Sequence, residues 1–221
     1  MSANAGLPPE CFLAPTAGDG RPPLSEVLRA FEPLREAGWR ERQISSQFAP
    51  SGGALPIRAY FNAEEVDAVL IGGIHGREPA GALALARYAS RLKDQGCSRG
   101  LLMMPLLNPW GYLRHERYGP TGRSVSGSDH LLGRLGAPGC SEAAAITDFV
   151  MNGIRIRPGA QVLDLHEDPV YEVPGYELRG RGSYVYLAGQ GALDHPLSRR
   201  VRDCLRDSSL PLIRDGVTRF G

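Results

Sequence analysis

The 221-residue sequence predicts an α/β fold, a sheet covered by helices on both faces. Three observations lead there. Nearly continuous apolar runs at residues 66–74, 100–107 and 160–165 read as strands buried on both sides. Segments with helical spacing of apolar residues lie between them. Glycine, proline and small polar residues punctuate the joins.

Taken in order, residues 1–23 are rich in Pro, Gly and Ala and are expected to form a loosely ordered arm, leaving 24–221 as one domain. Leu24, Val27, Leu28, Phe31 and Leu34 recur at helical spacing and predict one helix over 24–38, ended by a glycine. Ser51-Gly52-Gly53 reads as a turn and 55–61 as a strand. The apolar strand 66–74 follows, then a helix over 80–92 whose start suits Pro79, because a first-turn residue needs no donor. After the strand 100–107 comes an irregular stretch, 108–139, and then a helix over 140–151 with Ser141 as N-cap. The strands 160–165 and 183–188 and a helix over 196–207 complete the series.

Bulk properties narrow the function. A net charge of +1 gives no field to draw nucleic acid or an anionic membrane, so neither is expected as a partner. Cys11, Cys97, Cys140 and Cys204 form no CxxC pair, which argues against a cysteine zinc site and a disulfide framework. No apolar run reaches the roughly 18 residues of a membrane span. Residues 1–20 lack the basic and apolar regions of a secretory signal, so a cytoplasmic location is expected.

The chemistry-bearing residues fall just past the strand ends, where open α/β sheets place their ligands. Strand 66–74 runs into His75-Gly76-Arg77-Glu78, strand 100–107 into Asn108-Pro109-Trp110-Gly111, and strand 160–165 into His166-Glu167-Asp168. Each residue also has a plain structural role open to it. His75 fits as a loop histidine bonded to a carbonyl. Glu78 could complement the positive end of the helix it precedes, and His166 shares a strand face with Asp164. Together, two imidazoles and one carboxylate at converging strand ends match catalytic zinc, which takes three protein ligands and leaves a fourth position open. Zinc there lowers the pKa of water toward about 7. One Zn2+ per chain on His75, Glu78 and His166 is therefore expected.

Gly72-Gly73-Ile74-His75-Gly76-Arg77-Glu78-Pro79, then Asn108-Pro109-Trp110-Gly111-Tyr112, then Asp164-Leu165-His166 resembles, in order, the zinc carboxypeptidase superfamily (peptidase family M14). That superfamily includes the aspartoacylases and succinylglutamate desuccinylases. The resemblance spans residues 55–188. It implies a mixed, twisted, mostly parallel central sheet, zinc on His75, Glu78 and His166, and substrate recognition by arginines between the second and third ligands. Arg123 is the expected substrate arginine, with Arg114 and Arg117 as rivals. A guanidinium clamps a carboxylate through two hydrogen bonds or polarises a carbonyl.

Two departures from the superfamily pattern bear on chemistry. Its common Asp-x-Asn-Arg segment, which holds a terminal carboxylate, is replaced here by Ser126-Gly127-Ser128-Asp129-His130-Leu131. Asp129 and His130 would favour a cationic or hydrogen-bond-donating group. Its general-base Glu on a late strand has no counterpart after His166, since Glu167, Glu172 and Glu177 stand too close, and that base is expected beyond residue 221. The function expected is hydrolysis of a peptide or amide bond by zinc-activated water. The alternatives are a deacylase of N-acyl amino acids and a zinc-binding peptide-recognition protein without catalysis. Dinucleotide binding does not fit, because the glycines of 72–81 are not spaced G-x-G-x-x-G.

Overall fold

The computed structural model describes residues 6–15, 18, 20–95, 99–122, 140–166 and 196–207. The chain divides into two compact units, 1–168 and 169–221.

Among its described residues the first unit forms a mixed five-stranded open sheet with helices on both faces. In chain order its elements are α1 (Leu24–Arg29), α2 (Glu32–Glu36), β1 (Arg40–Phe48), β2 (Ala54–Phe61), β3 (Glu65–Gly72), α3 (Pro79–Gln95), β4 (Leu101–Met104), α4 (Pro109–Arg114), α5 (Ser141–Asp148) and β5 (Arg155–Leu165). The sheet order is β1-β2-β4-β3-β5. β3 runs parallel to β4 and β5, whereas β2 is antiparallel to both β1 and β4. The parallel character is thus confined to the three strands whose ends carry the candidate ligands and the Asn108 turn.

Alternation along the strands separates two cores. In β4, Leu101 and Met103 join one cluster with Leu85, Ala89 and Leu92 of α3 and with Phe31 and Leu34. Leu102 and Met104 point the other way, into a cluster with Val66, Val69 and Ile71 of β3 and Ile146 of α5. Each fully buried aliphatic side chain of this kind contributes roughly 1.5–3 kcal/mol.

Several elements differ from the sequence reading, each for a physical reason. The helix expected over 24–38 is two, because Pro33 lies in the first turn of α2. In one continuous helix its ring would clash with the carbonyl four residues earlier. β1 was not expected at all. Its Arg40, Glu41, Arg42 and Gln43 obscure any apolar alternation, and it takes its register from β2, with a bulge between Gln43 and Ser45. The stretch after β4, expected to be irregular, opens with helix α4. Cys140, not Ser141, is the N-cap of α5, its Sγ accepting from the Ala143 amide at 3.5 Å. After α5 the chain makes a π-helical turn, Phe149–Gly153. Finally, β5 was expected to be buried on both faces, but among the described residues it ends the sheet, and Val162 is 62% exposed.

The described part of the second unit is helix α6 (Pro196–Arg206), close to the expected 196–207. The strand expected at 183–188 lies outside the described residues. Among the described residues no helix is long and apolar enough to cross a membrane.

Candidate metal centre

β3 delivers the first two candidate ligands. After Gly72 the chain turns at Gly73, whose φ of +60° is one that glycine takes without strain. The Glu78 amide then donates to the His75 carbonyl at 3.0 Å, a tight turn that brings the two side chains together before α3 begins. This ligand loop lies directly on α4. A Cβ on Gly76 would sit 2.0 Å from the Gly111 carbonyl carbon, so the two backbones touch.

A buried polar network holds that crossing. Asn108, fully buried, caps α4 by accepting from the Gly111 amide at 2.9 Å, and its own amide donates to the Gly73 carbonyl at 2.9 Å. Gln47 of β1, 1% exposed, donates to Asn108 Oδ1 at 3.1 Å and accepts from the Trp110 amide at 2.8 Å. The Arg117 carbonyl accepts from Asn108 Nδ2 at 3.2 Å and from the Gly76 amide at 3.3 Å. A network satisfied in this way fixes geometry, since each displaced member would strand a buried polar group.

His75, Glu78 and His166 come together, with one ligand atom from each lying within 4.8 Å of the others. Tetrahedral zinc with bonds near 2.1 Å separates its ligand atoms by roughly 3.4 Å, within reach of small side-chain rotations. Glu78, 3% exposed, is the hub. His166 Nδ1 lies 3.0 Å from its Oε2, and Arg117 Nη1 donates to its Oε1 at 2.8 Å. Burial raises the pKa of Glu78, but His166, His75 and Arg117 outweigh it and hold the group at about 2. The carboxylate is therefore charged at neutral pH.

The two histidines differ. His166 Nε2 lies 3.1 Å from Asp164 Oδ2, and the hydrogen bonds to Asp164 and then to Glu78 push its pKa up to about 9. His166 thus faces one carboxylate through each ring nitrogen. His75 Nδ1 is 2.8 Å from Glu78 Oε1, yet it is not aligned for a hydrogen bond. It is buried without a hydrogen-bond partner among the described residues. Buried polar atoms are rarely left so. The donor set, and a His75 nitrogen that faces the carboxylate without hydrogen-bond alignment, both fit a divalent cation taken by imidazole and carboxylate.

The other expected site residues fall differently. Arg123, Asp129 and His130 lie outside the described residues. Arg114 is exposed at the end of α4, whereas Arg117 reaches Glu78. A cavity of about 340 Å³ is lined by Arg77, Trp110, Glu116, Arg117 and Tyr118, and Arg117 links it to Glu78. Tyr118 presents its ring edge-on to His75, with centroids 6.3 Å apart. Gln47 gave no signal in the sequence, because a lone glutamine in a strand that itself escaped notice has no spacing to mark it.

No protein-family model and no curated protein matches the sequence. Solved structures do share the fold. A candidate metallopeptidase of Shewanella amazonensis matches with a TM-score of 0.57 at 19% identity, over 88% of this chain and 71% of its own. One of Shewanella baltica matches with a TM-score of 0.52 at 18% identity, over 77% of this chain and 64% of its own. A metallo-carboxypeptidase of Pseudomonas aeruginosa, solved with (2-guanidinoethylmercapto)succinic acid, matches with a TM-score of 0.51 at 17% identity. That match covers 86% of this chain and 51% of the other, so this chain spans about half the Pseudomonas protein's length.

Proposed function

We propose that this chain is a zinc-dependent hydrolase of peptide or amide bonds, with one Zn2+ held by His75, Glu78 and His166. The observation that carries the reading is the convergence of His75, Glu78 and His166, with one ligand atom from each within 4.8 Å of the others. A bound zinc ion supplies a Lewis acid and activates water at neutral pH. The rest falls to the chain's own residues. Asp164, on His166 Nε2, fixes the ring so that Nδ1 faces Glu78, the outer-shell role a carboxylate plays for a ligating histidine. Arg117, anchored through its carbonyl and open to the cavity, is the group we assign to the substrate, where a guanidinium takes a carbonyl or carboxylate oxygen. Arg123, Asp129 and His130 remain part of the proposed substrate region. Residues 24–221 make up the proposed hydrolase domain, in a cytoplasmic setting.

A deacylase of N-acyl amino acids uses the same residues. The small cavity sets Arg77 and Arg117 against the single acid Glu116, a net positive lining that favours short anionic substrates of that kind. Titration of metal-free protein with Zn2+ should give close to one site per chain. His75→Ala and His166→Ala should each remove it while the fold persists by circular dichroism. Unchanged stoichiometry in both variants would overturn the site. Turnover of short peptides compared with N-acyl amino acids, by zinc-loaded protein, separates the two substrate classes.

A further inference from the structure

Arg21 belongs to the N-terminal arm, yet it is only 4% exposed. Burying a guanidinium is costly unless its donors are met. Here Nη1 donates to the carbonyls of Gly76 at 2.8 Å and Tyr112 at 3.0 Å. Nη2 donates to the Arg77 carbonyl at 3.3 Å and lies 2.8 Å from His115 Nδ1. A guanidinium has no acceptor, so that histidine nitrogen must accept. The Tyr112 ring lies 5.0 Å from the guanidinium carbon, and the Tyr112 hydroxyl donates to the Pro22 carbonyl at 2.7 Å.

These acceptors are not scattered. Gly76 and Arg77 contribute the two successive carbonyls between His75 and Glu78. Each carbonyl fixes the plane of the peptide it belongs to, so Arg21 sets two of the three peptide planes that join the candidate ligands. The Gly76 residue is held from both sides, its amide by the Arg117 carbonyl and its carbonyl by Arg21. The remaining acceptors, Tyr112 and His115, lie at the end of α4. His115 there has a φ of +56°, a left-handed turn that leads the chain into Arg117.

We infer that Arg21 is a positioning residue for the metal centre, a clamp from the arm that fixes the His75–Glu78 loop and the turn delivering Arg117. The inference rests on the metal-site reading above. A planar fork with five donors suits this task, whereas a lysine ammonium cannot span four acceptors on two segments.

The test uses Co2+ as a spectroscopic probe of the full chain. In Arg21→Lys, the Kd for Co2+ should rise about 10- to 100-fold, the range typical of lost outer-shell partners. The visible absorption bands should also shift, reporting altered coordination. Arg21→Gly should behave likewise, and added methylguanidinium should restore the bands. Ile57→Val, which trims the opposite core, should lower stability without moving the bands, showing that the shift is not general loosening. If the Arg21 variants fail to fold, His115→Ala removes one exposed acceptor and should give a smaller shift in the same direction. Wild-type Kd and spectrum in a folded Arg21 variant, or in His115→Ala where only that one folds, would overturn the clamp. If the wild type takes up no Co2+, the metal reading fails instead. Hydrogen exchange then decides, because the clamp requires the residue 76–78 amides to exchange faster in the folded variant than in Ile57→Val, and equal rates overturn it.

Discussion

At the scale of single residues, Glu78 concentrates the site. It is buried, charged, and shared by two imidazoles and a guanidinium, so no neutral replacement can satisfy all three. Glu78→Gln preserves shape and removes the charge. It should weaken Zn2+ binding by at least 100-fold and lower stability by about 1.5–3 kcal/mol, the worth of a hydrogen bond to a charged group. A chelator-competition assay and urea denaturation measure the two effects. The clustering of His75, Glu78 and His166 was legible in the sequence because metal chemistry restricts both the types of candidate ligands and their place at strand ends. The place of Arg117 beside Glu78 was not. Arg114, Arg117 and Arg123 differ only in spacing, and spacing does not reveal that His115 turns left-handed and redirects the chain. That turn leaves Arg114 in solvent and brings Arg117 onto Glu78.

At the scale of elements, strands buried on both faces were legible because they have no solvent side to disguise them. β1 and the break between α1 and α2 were hidden. One is an edge strand rich in charge, and the other is a helical pattern that a single proline interrupts. Packing of elements also sets a test of sign. Gly81 lies in α3, where intrinsic propensity favours alanine by about 1 kcal/mol. A Cβ there would stand 2.5 Å from the Leu165 carbonyl oxygen, on the residue before His166. Contact should win over propensity. Gly81→Ala is expected to lower the urea midpoint and weaken Zn2+ binding by displacing His166 from Glu78. A rise in the midpoint with unchanged zinc affinity would show that the helix relaxes without cost.

At the scale of the whole molecule, the two cores on opposite faces of the sheet shelter groups by depth rather than by chemistry. Cys11 is fully buried, and burial pushes its thiol up to about 11, so little thiolate exists at pH 8. Cys204 is exposed on α6. Iodoacetamide at pH 8 should alkylate Cys204 quickly and leave Cys11 intact until denaturant is added, as read by peptide mass. Early loss of the Cys11 thiol would mean that the region around Pro9–Phe12 opens without global unfolding. The edge position of β5 carries a larger consequence. His75 and Glu78 stand beyond the interior strand β3, while His166 stands beyond the last strand of the described sheet. A cation held by all three is therefore a cross-link between interior strand β3 and β5, the last strand of the described sheet. At a free concentration 100 times its Kd it adds about 2.7 kcal/mol to the folded state. That increment should appear first as slower amide exchange along Arg155–Leu165, making occupancy of the metal site a seam that closes the sheet.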